Sequence, residues 1–146
     1  FVSAEMAWGT EQEPFARMAY ETETGALVQE AGFAYLPDVA AGCSVDGFVG
    51  KGVVEIKCPK SATHIRYLEE GVIPSDYIPQ VTHNVWVTGA EFAVFISFDP
   101  RLPENLQLFH VRVERDALPV GNHEKMVLDF LKEVDALEQK LRNIRR

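Results

Sequence analysis

One stretch of sequence decides the fold: Ser44-Val45-Asp46-Gly47-Phe48-Val49-Gly50-Lys51-Gly52-Val53-Val54-Glu55-Ile56-Lys57-Cys58-Pro59. Its centre, Gly50-Lys51-Gly52, is a good turn between two apolar runs. Residues 44–49 and 53–58 are therefore predicted to pair as an antiparallel β-hairpin.

The second strand of this hairpin has two kinds of face. Side chains alternate along a strand, so Val53, Glu55 and Lys57 share one face, and the residues between them, starting at Val54, share the other. We expect the first face to carry charge and the second to belong to the core. The hairpin also brings Asp46 opposite Glu55 and Lys57, in the pattern D-x8-E-x-K.

Two carboxylates beside one ammonium are typical of a metal-dependent nuclease. Carboxylates suit Mg²⁺ or Mn²⁺, which also bind phosphate oxygens. A metal at Asp46 and Glu55 would lower the pKa of a bound water and stabilise charge at phosphorus. Lys57 would position or deprotonate that water, or neutralise the transition state. The pattern is short, and the alternative is an ordinary solvated hairpin with an incidental Glu–Lys pair.

Seven landmarks in a fixed order make nearly the whole sequence resemble the phage lambda exonuclease and YqaJ-type viral recombinase nucleases of the PD-(D/E)XK superfamily. They are Trp8-Gly9-Thr10-Glu11-Gln12-Glu13, Cys43-Ser44-Val45-Asp46-Gly47, Glu55-Ile56-Lys57-Cys58-Pro59, Tyr77-Ile78-Pro79-Gln80-Val81, Trp86-Val87-Thr88, Asp99-Pro100-Arg101 and Val113-Glu114-Arg115-Asp116.

The resemblance implies a fold class and a metal site. The fold is α/β, an α+β mixed sheet flanked by helices, with a PD-(D/E)XK restriction-endonuclease-like nuclease core. Glu13, on an upstream helix, would join Asp46 and Glu55 at the metal, with the Ile56 carbonyl as a further ligand. Without the resemblance, Glu13 reads as an exposed helix acid.

Two further residues are implied in catalysis. In the family, a Tyr and a Gln three residues apart on a later helix complete the site, and Tyr77 and Gln80 match them. They would orient water or the scissile phosphate, and residues three apart do share one helix face. Without the resemblance, a half-buried helix surface is the favoured interpretation.

The activity implied is that of a Mg²⁺-dependent exodeoxyribonuclease, with Mn²⁺ as a substitute. It would hydrolyse one strand of linear duplex DNA from its end, 5′ to 3′, in phage-type homologous recombination. A homotrimer enclosing DNA and a single-strand annealing protein are the implied partners. The alternatives are a structure-selective or single-strand nuclease of the same superfamily, or a catalytically silent DNA-end binding module.

Composition fits one domain. With 146 residues and 47% apolar content, residues 1–146 are predicted to form a single nuclease domain, and the resemblance suggests that upstream N-terminal helices are missing before Phe1. Many family members have proline where this chain has Val45, and we expect activity to survive because proline is not a catalytic group.

The charge balance restricts how DNA is bound. The net charge of −8 argues against nonspecific wrapping of DNA, so a local basic surface is needed. The candidates are Lys51, Lys57, Lys60, His64 and Arg66. For the last three, a solvated helix face is an equal alternative.

Cysteine count and hydropathy exclude other classes. Cys43 and Cys58 are too few for a four-thiolate iron–sulfur cluster. They are potential neighbours across the hairpin, and we expect them to be reduced and buried. No apolar run approaches the roughly 18 residues of a membrane span, and no secretory signal opens the chain, so the sequence predicts a cytoplasmic protein with no membrane partner. The resemblance implies a phage or prophage protein in a bacterial host cell.

The remaining patterns predict the other elements. We expect a helix over residues 3–24, kinked near Pro14 and ended by Gly25, then a strand over 26–36. Ser61 is predicted to cap a helix ending at Gly71, and Ser75 to begin another that runs through Val87. Residues 91–98 read as a central strand and 106–113 as its neighbour.

The last segment, residues 122–146, is predicted to be a long amphipathic helix. Its apolar residues lie at three- and four-residue steps, and we expect this stripe to pack on the domain itself; they are Val127, Phe130, Val134, Leu137, Leu141 and Ile144.

Several other residues suggest a role less strongly. His83, His110 and His123 lack the spacing of zinc sites and read as ordinary polar residues. Asp99-Pro100-Arg101 reads as a turn with a structural or interface role. Met6 and Trp8 are more often core residues than a wedge that opens a duplex end.

Overall fold

The computed structural model describes residues 1–144, which form a mixed sheet flanked by helices. The helices are α1 (Ala4–Thr24), α2 (Ser61–Glu70), α3 (Ile78–Thr88) and α4 (Val120–Ile144). The strands are β1 (Phe33–Tyr35), β2 (Gly42–Ser44), β3 (Gly47–Val49), β4 (Gly52–Lys57), β5 (Phe92–Phe98) and β6 (Leu108–Glu114). No helix among these residues is both long and apolar enough to cross a membrane.

The main sheet has the order β3-β4-β5-β6, and β1 and β2 form a separate pair. β3 and β4 form the predicted antiparallel hairpin, with Gly47 opposite Val54. β4 pairs with β5 in parallel, and the connection between them contains α2 and α3. β5 is buried at every residue, which confirms the predicted central strand.

Both faces of β4 are covered: the predicted core face is confirmed, and the face that carries Glu55 and Lys57 is charged as predicted but is also largely buried. Val54 and Ile56 pack with residues of α1, including Ala16, and Val53 packs with residues of α3, including Val85. The face that carries Glu55 is therefore covered by α3, and Glu55 is only 5% exposed. A central strand leaves no face to water, because helices on both sides bury it.

α1 is a single helix. Ser3 caps its start by accepting a hydrogen bond from the Met6 backbone N–H, and Gly25 ends it with φ of 73°. Pro14 lies inside the helix without ending it. The predicted strand over residues 26–36 was too long, because only Phe33–Tyr35 is a strand, and Gln29 makes an isolated bridge to Phe48.

The two central helices begin differently from the prediction. Ser61 does not cap α2; it is the first helical residue, and its hydroxyl donates to the Asp99 carboxylate. Ser75–Tyr77 form a 3-10 turn, and α3 starts only at Ile78, with proline in its first turn. Gly71 and Gly89, both with positive φ, end the two helices.

The apolar stripe of α4 does not pack on the domain as predicted. Only Val127 packs against the core, whereas Phe130 is 60% exposed and Leu137 is 56% exposed. Val134, Leu141 and Ile144 are exposed too. The predicted helix end at residues 145 and 146 lies outside the described residues.

The cysteines are not neighbours. Both are free thiols; Cys43 packs with Val53, and Cys58 packs with Val54 and Ile56 on the opposite face of β4. Burial and the charges of Glu13, Asp46 and Asp99 raise the pKa of Cys58 to about 12, so this thiol stays protonated.

Candidate active site

The hairpin fixes Asp46 beside the middle of β4. The Asp46 backbone N–H donates to the Val54 carbonyl at 3.2 Å, and Asp46 Oδ2 accepts from the Ile56 backbone N–H at 2.7 Å. Gly47, the next residue, lets the chain at Gln29 approach β3 closely, because a Cβ there would lie 2.8 Å from the Gln29 carbonyl oxygen.

Glu55 is held by three donors. Lys57 Nζ lies 3.2 Å from Glu55 Oε1, and Gln80 Nε2 donates to the same oxygen at 2.9 Å. Asn84 Nδ2 donates to Oε2 at 3.1 Å. Sequence reasoning missed Asn84, although its position four residues after Gln80 places both amides on one face of α3.

The carboxyl groups of this cluster disfavour one another's ionisation. Burial, followed by the charge of Asp46, raises the pKa of Glu55 to about 7, against the opposing effects of Lys57 and Asn84. Burial and the charge of Asp46 also raise the pKa of Glu13, which Arg17 opposes. Asp46 is thus the acid that couples to both of the others.

Glu13 reaches the cluster from α1. Arg17, one turn later, lies 3.4 Å from Glu13 Oε1, and the same arginine lies 3.0 Å from Glu30. Gln12 and Ala16 are buried against the sheet, which orients this part of the helix. The predicted helical position of Glu13 is therefore correct.

Tyr77 stands beside Lys57 on the 3-10 turn before α3. Lys57 Nζ lies 5.0 Å from the centre of the Tyr77 ring, which packs on Phe95 at a centroid distance of 5.2 Å. A cation over an aromatic face is an attractive arrangement that restricts the lysine. Tyr77 and Gln80 thus both contact groups of β4, although Tyr77 lies just before α3.

A groove of about 880 Å³ runs past these residues. Lys57 and Ile56 line it from β4, Tyr77 from the 3-10 turn before α3, and Glu13 from α1. A second hollow of about 380 Å³ is lined by Asp46 and by Glu13, so Glu13 borders both. Glu55 lines neither hollow.

The predicted basic surface is only partly present. Lys57 and Lys60 line the groove. His64 is fully buried and bonds to Ser97 and the Leu106 carbonyl. Lys51 pairs with Glu91 at 3.5 Å and Arg66 with Glu70 at 4.0 Å; neither lines the groove.

The residues with a weaker sequence signal, Met6, Trp8 and three histidines, differ in their surroundings. Met6 is 58% exposed, against the core interpretation, while Trp8 is half-buried, and both line the groove. His83 and His123 bond to each other at 2.8 Å, and His110 pairs with Glu23 at 2.6 Å.

The donor set fits a hard cation, although as placed it is not a closed ligand shell. Among residues 1–144, no three His, Cys, Asp or Glu side chains are grouped closely enough to hold one ion. Carboxylate oxygens are the ligands that Mg²⁺ prefers. Burial, with the charge of Asp46 added to it, raises the pKa values of Glu13 and Glu55, so a positive charge beside these acids would favour their ionised forms.

Comparison with known proteins identifies the family. A model of the YqaJ-like viral recombinase domain matches residues 1–91, more than half of the chain. The chain belongs to this family. ExoD, an uncharacterized protein of Escherichia coli strain K12, is 32% identical over 63 residues, which cover 43% of this chain and 71% of ExoD.

Solved structures resemble the YqaJ-like chain over nearly its whole length. LHK-Exo in complex with dAMP is 41% identical with a TM-score of 0.90, covering 98% of this chain and 74% of that one. The alkaline exonuclease LHK-Exo from Laribacter hongkongensis, in another structure, is 40% identical with a TM-score of 0.90, covering 98% and 75%. A phage-related exonuclease from Haemophilus somnus is 15% identical with a TM-score of 0.73, covering 97% and 75%, and shares the fold. These matches confirm the predicted family and nuclease fold class, and they support the broader expectation of a DNA exonuclease.

Proposed function

We propose that this chain is a Mg²⁺-dependent exodeoxyribonuclease that hydrolyses one strand of linear duplex DNA from its end. One observation carries the proposal: Asp46 lies beside the buried Glu55–Lys57 pair, with Lys57 lining the groove and Asp46 lining the second hollow, in a fold that matches an alkaline exonuclease at 41% identity. LHK-Exo binds dAMP, a mononucleotide of the kind that an exonuclease releases.

The acids would hold the metal. Asp46, Glu55 and Glu13 supply carboxylate oxygens, and the Ile56 carbonyl is a further ligand. When bound, Mg²⁺ supplies Lewis acidity, lowering the pKa of a water and neutralising charge on the phosphate. Mn²⁺ prefers the same oxygen ligands and is expected to substitute.

The other residues position the reactants. Lys57 lines the groove, where its ammonium can orient the attacking water or stabilise charge on the phosphate. Gln80 and Tyr77 act on the same region, because Gln80 bonds to Glu55 and Tyr77 restricts Lys57. Asn84 completes the support of Glu55.

The family match supports a proposal for the biological setting. We infer degradation in the 5′ to 3′ direction, a role in phage-type homologous recombination, and transfer of the exposed strand to a single-strand annealing protein. A homotrimer around DNA is part of the same proposal. The exposed stripe of α4 offers an apolar surface for contact with another copy, because three- and four-residue spacing is the pattern by which helices pair.

The test uses end-labelled linear duplex DNA and the same DNA as a closed circle, each with and without Mg²⁺. Metal-dependent release of mononucleotides from linear DNA alone is the expected result. Cleavage of the circle would instead indicate an endonuclease of the same superfamily. DNA binding without any cleavage would indicate a silent end-binding module.

A further inference from the structure

We propose that Arg101, held over the Trp8 ring, binds a backbone phosphate of the DNA strand in the groove, next to the phosphate that is cleaved. This inference rests on the proposed function and adds a binding residue to it. Arg101 lies outside the Asp46–Glu55–Lys57 cluster, at the end of a turn that follows β5.

Arg101 is fixed in position by three contacts. Its Nε donates to Asp99 Oδ1 at 2.8 Å, and Nη2 donates to the Pro59 carbonyl at 3.0 Å. Its Cζ lies 4.5 Å from the centre of the Trp8 ring. An exposed arginine normally samples many rotamers, so this orientation removes much of the entropy that phosphate binding would otherwise cost.

The anchor itself is buried. Asp99 is 0% exposed and also accepts hydrogen bonds from the Ser61 hydroxyl and the Arg101 backbone N–H. These bonds tie the turn after β5 to the first residue of α2. The guanidinium is therefore hydrogen-bonded to a carboxylate that is buried in the core of the domain.

The guanidinium still has capacity for a ligand. Its side chain is 46% exposed, and an arginine has five N–H donors, of which Asp99 and Pro59 occupy two. Its planar fork matches the oxygens of a phosphate.

The location suits a strand that passes the catalytic cluster. Arg101 and Lys57 line the same groove, and Pro59, which Arg101 contacts, is two residues beyond Lys57. In a chain with a net charge of −8, a fixed cation in the groove favours phosphate locally. Trp8 adds an aromatic surface under the cation.

The competing interpretation is that Arg101 only neutralises buried Asp99. Both interpretations predict lower stability when Arg101 is removed. Only phosphate binding predicts a change in the salt dependence of DNA affinity, because each phosphate contact releases counterions.

The experiment measures the affinity of the full-length protein for fluorescein-labelled linear duplex DNA at several salt concentrations, with Ca²⁺ in place of Mg²⁺. For Arg101→Ala, we expect weaker binding and a plot of log affinity against log salt whose slope is smaller by about 1. Arg66→Ala is the matched control, because Arg66 lies over the Tyr67 ring at 5.6 Å but does not line the groove. Its slope should equal that of the wild type.

A double variant, Asp99→Asn with Arg101→Gln, guards against misfolding, since it leaves no unpaired buried carboxylate. It should show the same reduced slope at a melting temperature that confirms folding. An unchanged slope in either folded variant would overturn the inference. If the Arg101 variants have a reduced slope but the wild type cleaves no DNA, the inference is supported and the proposed function is refuted. If the slope is unchanged but the wild type is an active nuclease, the inference is refuted and the proposed function is supported.

Discussion

Burial makes the Glu55 carboxyl harder to ionise in the folded protein, and the hydrogen bonds around it do not offset this effect. Its pKa rises from 4.5 to about 7, so the folded protein resists an ionisation that the unfolded chain undergoes freely. The stability associated with the neutral form is complete below pH 4.5 and is lost as the pH rises through about 7. The loss amounts to roughly 3 kcal/mol.

Glu55→Gln should therefore stabilise the metal-free protein at pH 8 by up to that amount and have little effect at pH 4.5. The free energy of unfolding from urea titrations at both pH values measures this. Glu91→Gln is the control, because Glu91 is an exposed acid that pairs with Lys51, and it should show a small effect at either pH. Equal stabilisation by Glu55→Gln at both pH values would contradict the account.

The same residue links stability to the proposed metal. A cation that binds the native state raises its stability, and it should do so more in the wild type than in Glu55→Gln. The raised pKa of Glu55 was not predictable from the hairpin pattern. That pattern identifies the neighbours of Glu55 along the strand, but it does not show that α3 packs over Glu55 and buries it.

At the scale of elements, the packing of Val28 and Gln29 against β3 depends on Gly47. A Cβ at this position would lie 2.6 Å from a Val28 methyl and 2.8 Å from the Gln29 carbonyl oxygen. Gly47→Ala should lower the free energy of unfolding by about 1–3 kcal/mol, since the backbone must shift. It should also reduce cleavage, because Asp46 precedes it.

Gly121→Ala is the control for Gly47→Ala. Gly121 lies in α4 with open space around it, so alanine should be neutral or slightly stabilising. Thermal unfolding of both variants makes the comparison. Equal melting temperatures for the two would show that the close approach of Val28 and Gln29 to Gly47 does not limit the residue at this position.

Elements were predictable where one pattern ran long enough. The apolar run that forms β5, the hairpin around Gly50 and the caps at Gly25 and Gly71 are local signals, and the structure confirms them. Ser61 misled the prediction because a serine before a helix can equally bond to a distant acid, and Asp99 is 38 residues away. The strand predicted from residue 26 begins only at Phe33, because its length depends on the three-residue partner strand Gly42–Ser44. The apolar composition of residues 26–32 gave no sign of that limit.

Across the whole molecule, the site combines parts that sequence spacing could not bring together. Asp46, Glu55 and Lys57 follow from the hairpin, but Glu13 reaches them only because α1 packs across β4. Family resemblance supplied that residue. Arg101 was passed over as part of a turn, because its groove position depends on a buried acid and on a tryptophan 93 residues earlier.

The exposed face of α4 predicts a contact between copies. Val134→Glu with Leu137→Glu should reduce the assembly of the full-length protein to a smaller mass in light scattering, because charge on the stripe opposes its burial. Lys132→Glu with Gln139→Glu, on the other side of the helix, is the control and should leave the mass unchanged. A wild type that is monomeric, or a stripe variant of unchanged mass, would contradict the proposed assembly.

The Asp46–Glu55–Lys57 cluster is proposed to hydrolyse DNA, and the rate at which mononucleotides are released in the presence of Mg²⁺ is the measurement that bears on this proposal. Lys57→Ala should lower this rate by roughly 100-fold or more in a protein that still folds and still binds DNA. Lys51→Ala, which removes a lysine from the hairpin turn outside the groove, should retain full activity. A Lys57→Ala protein that cleaves at the rate of the Lys51→Ala control would contradict the account.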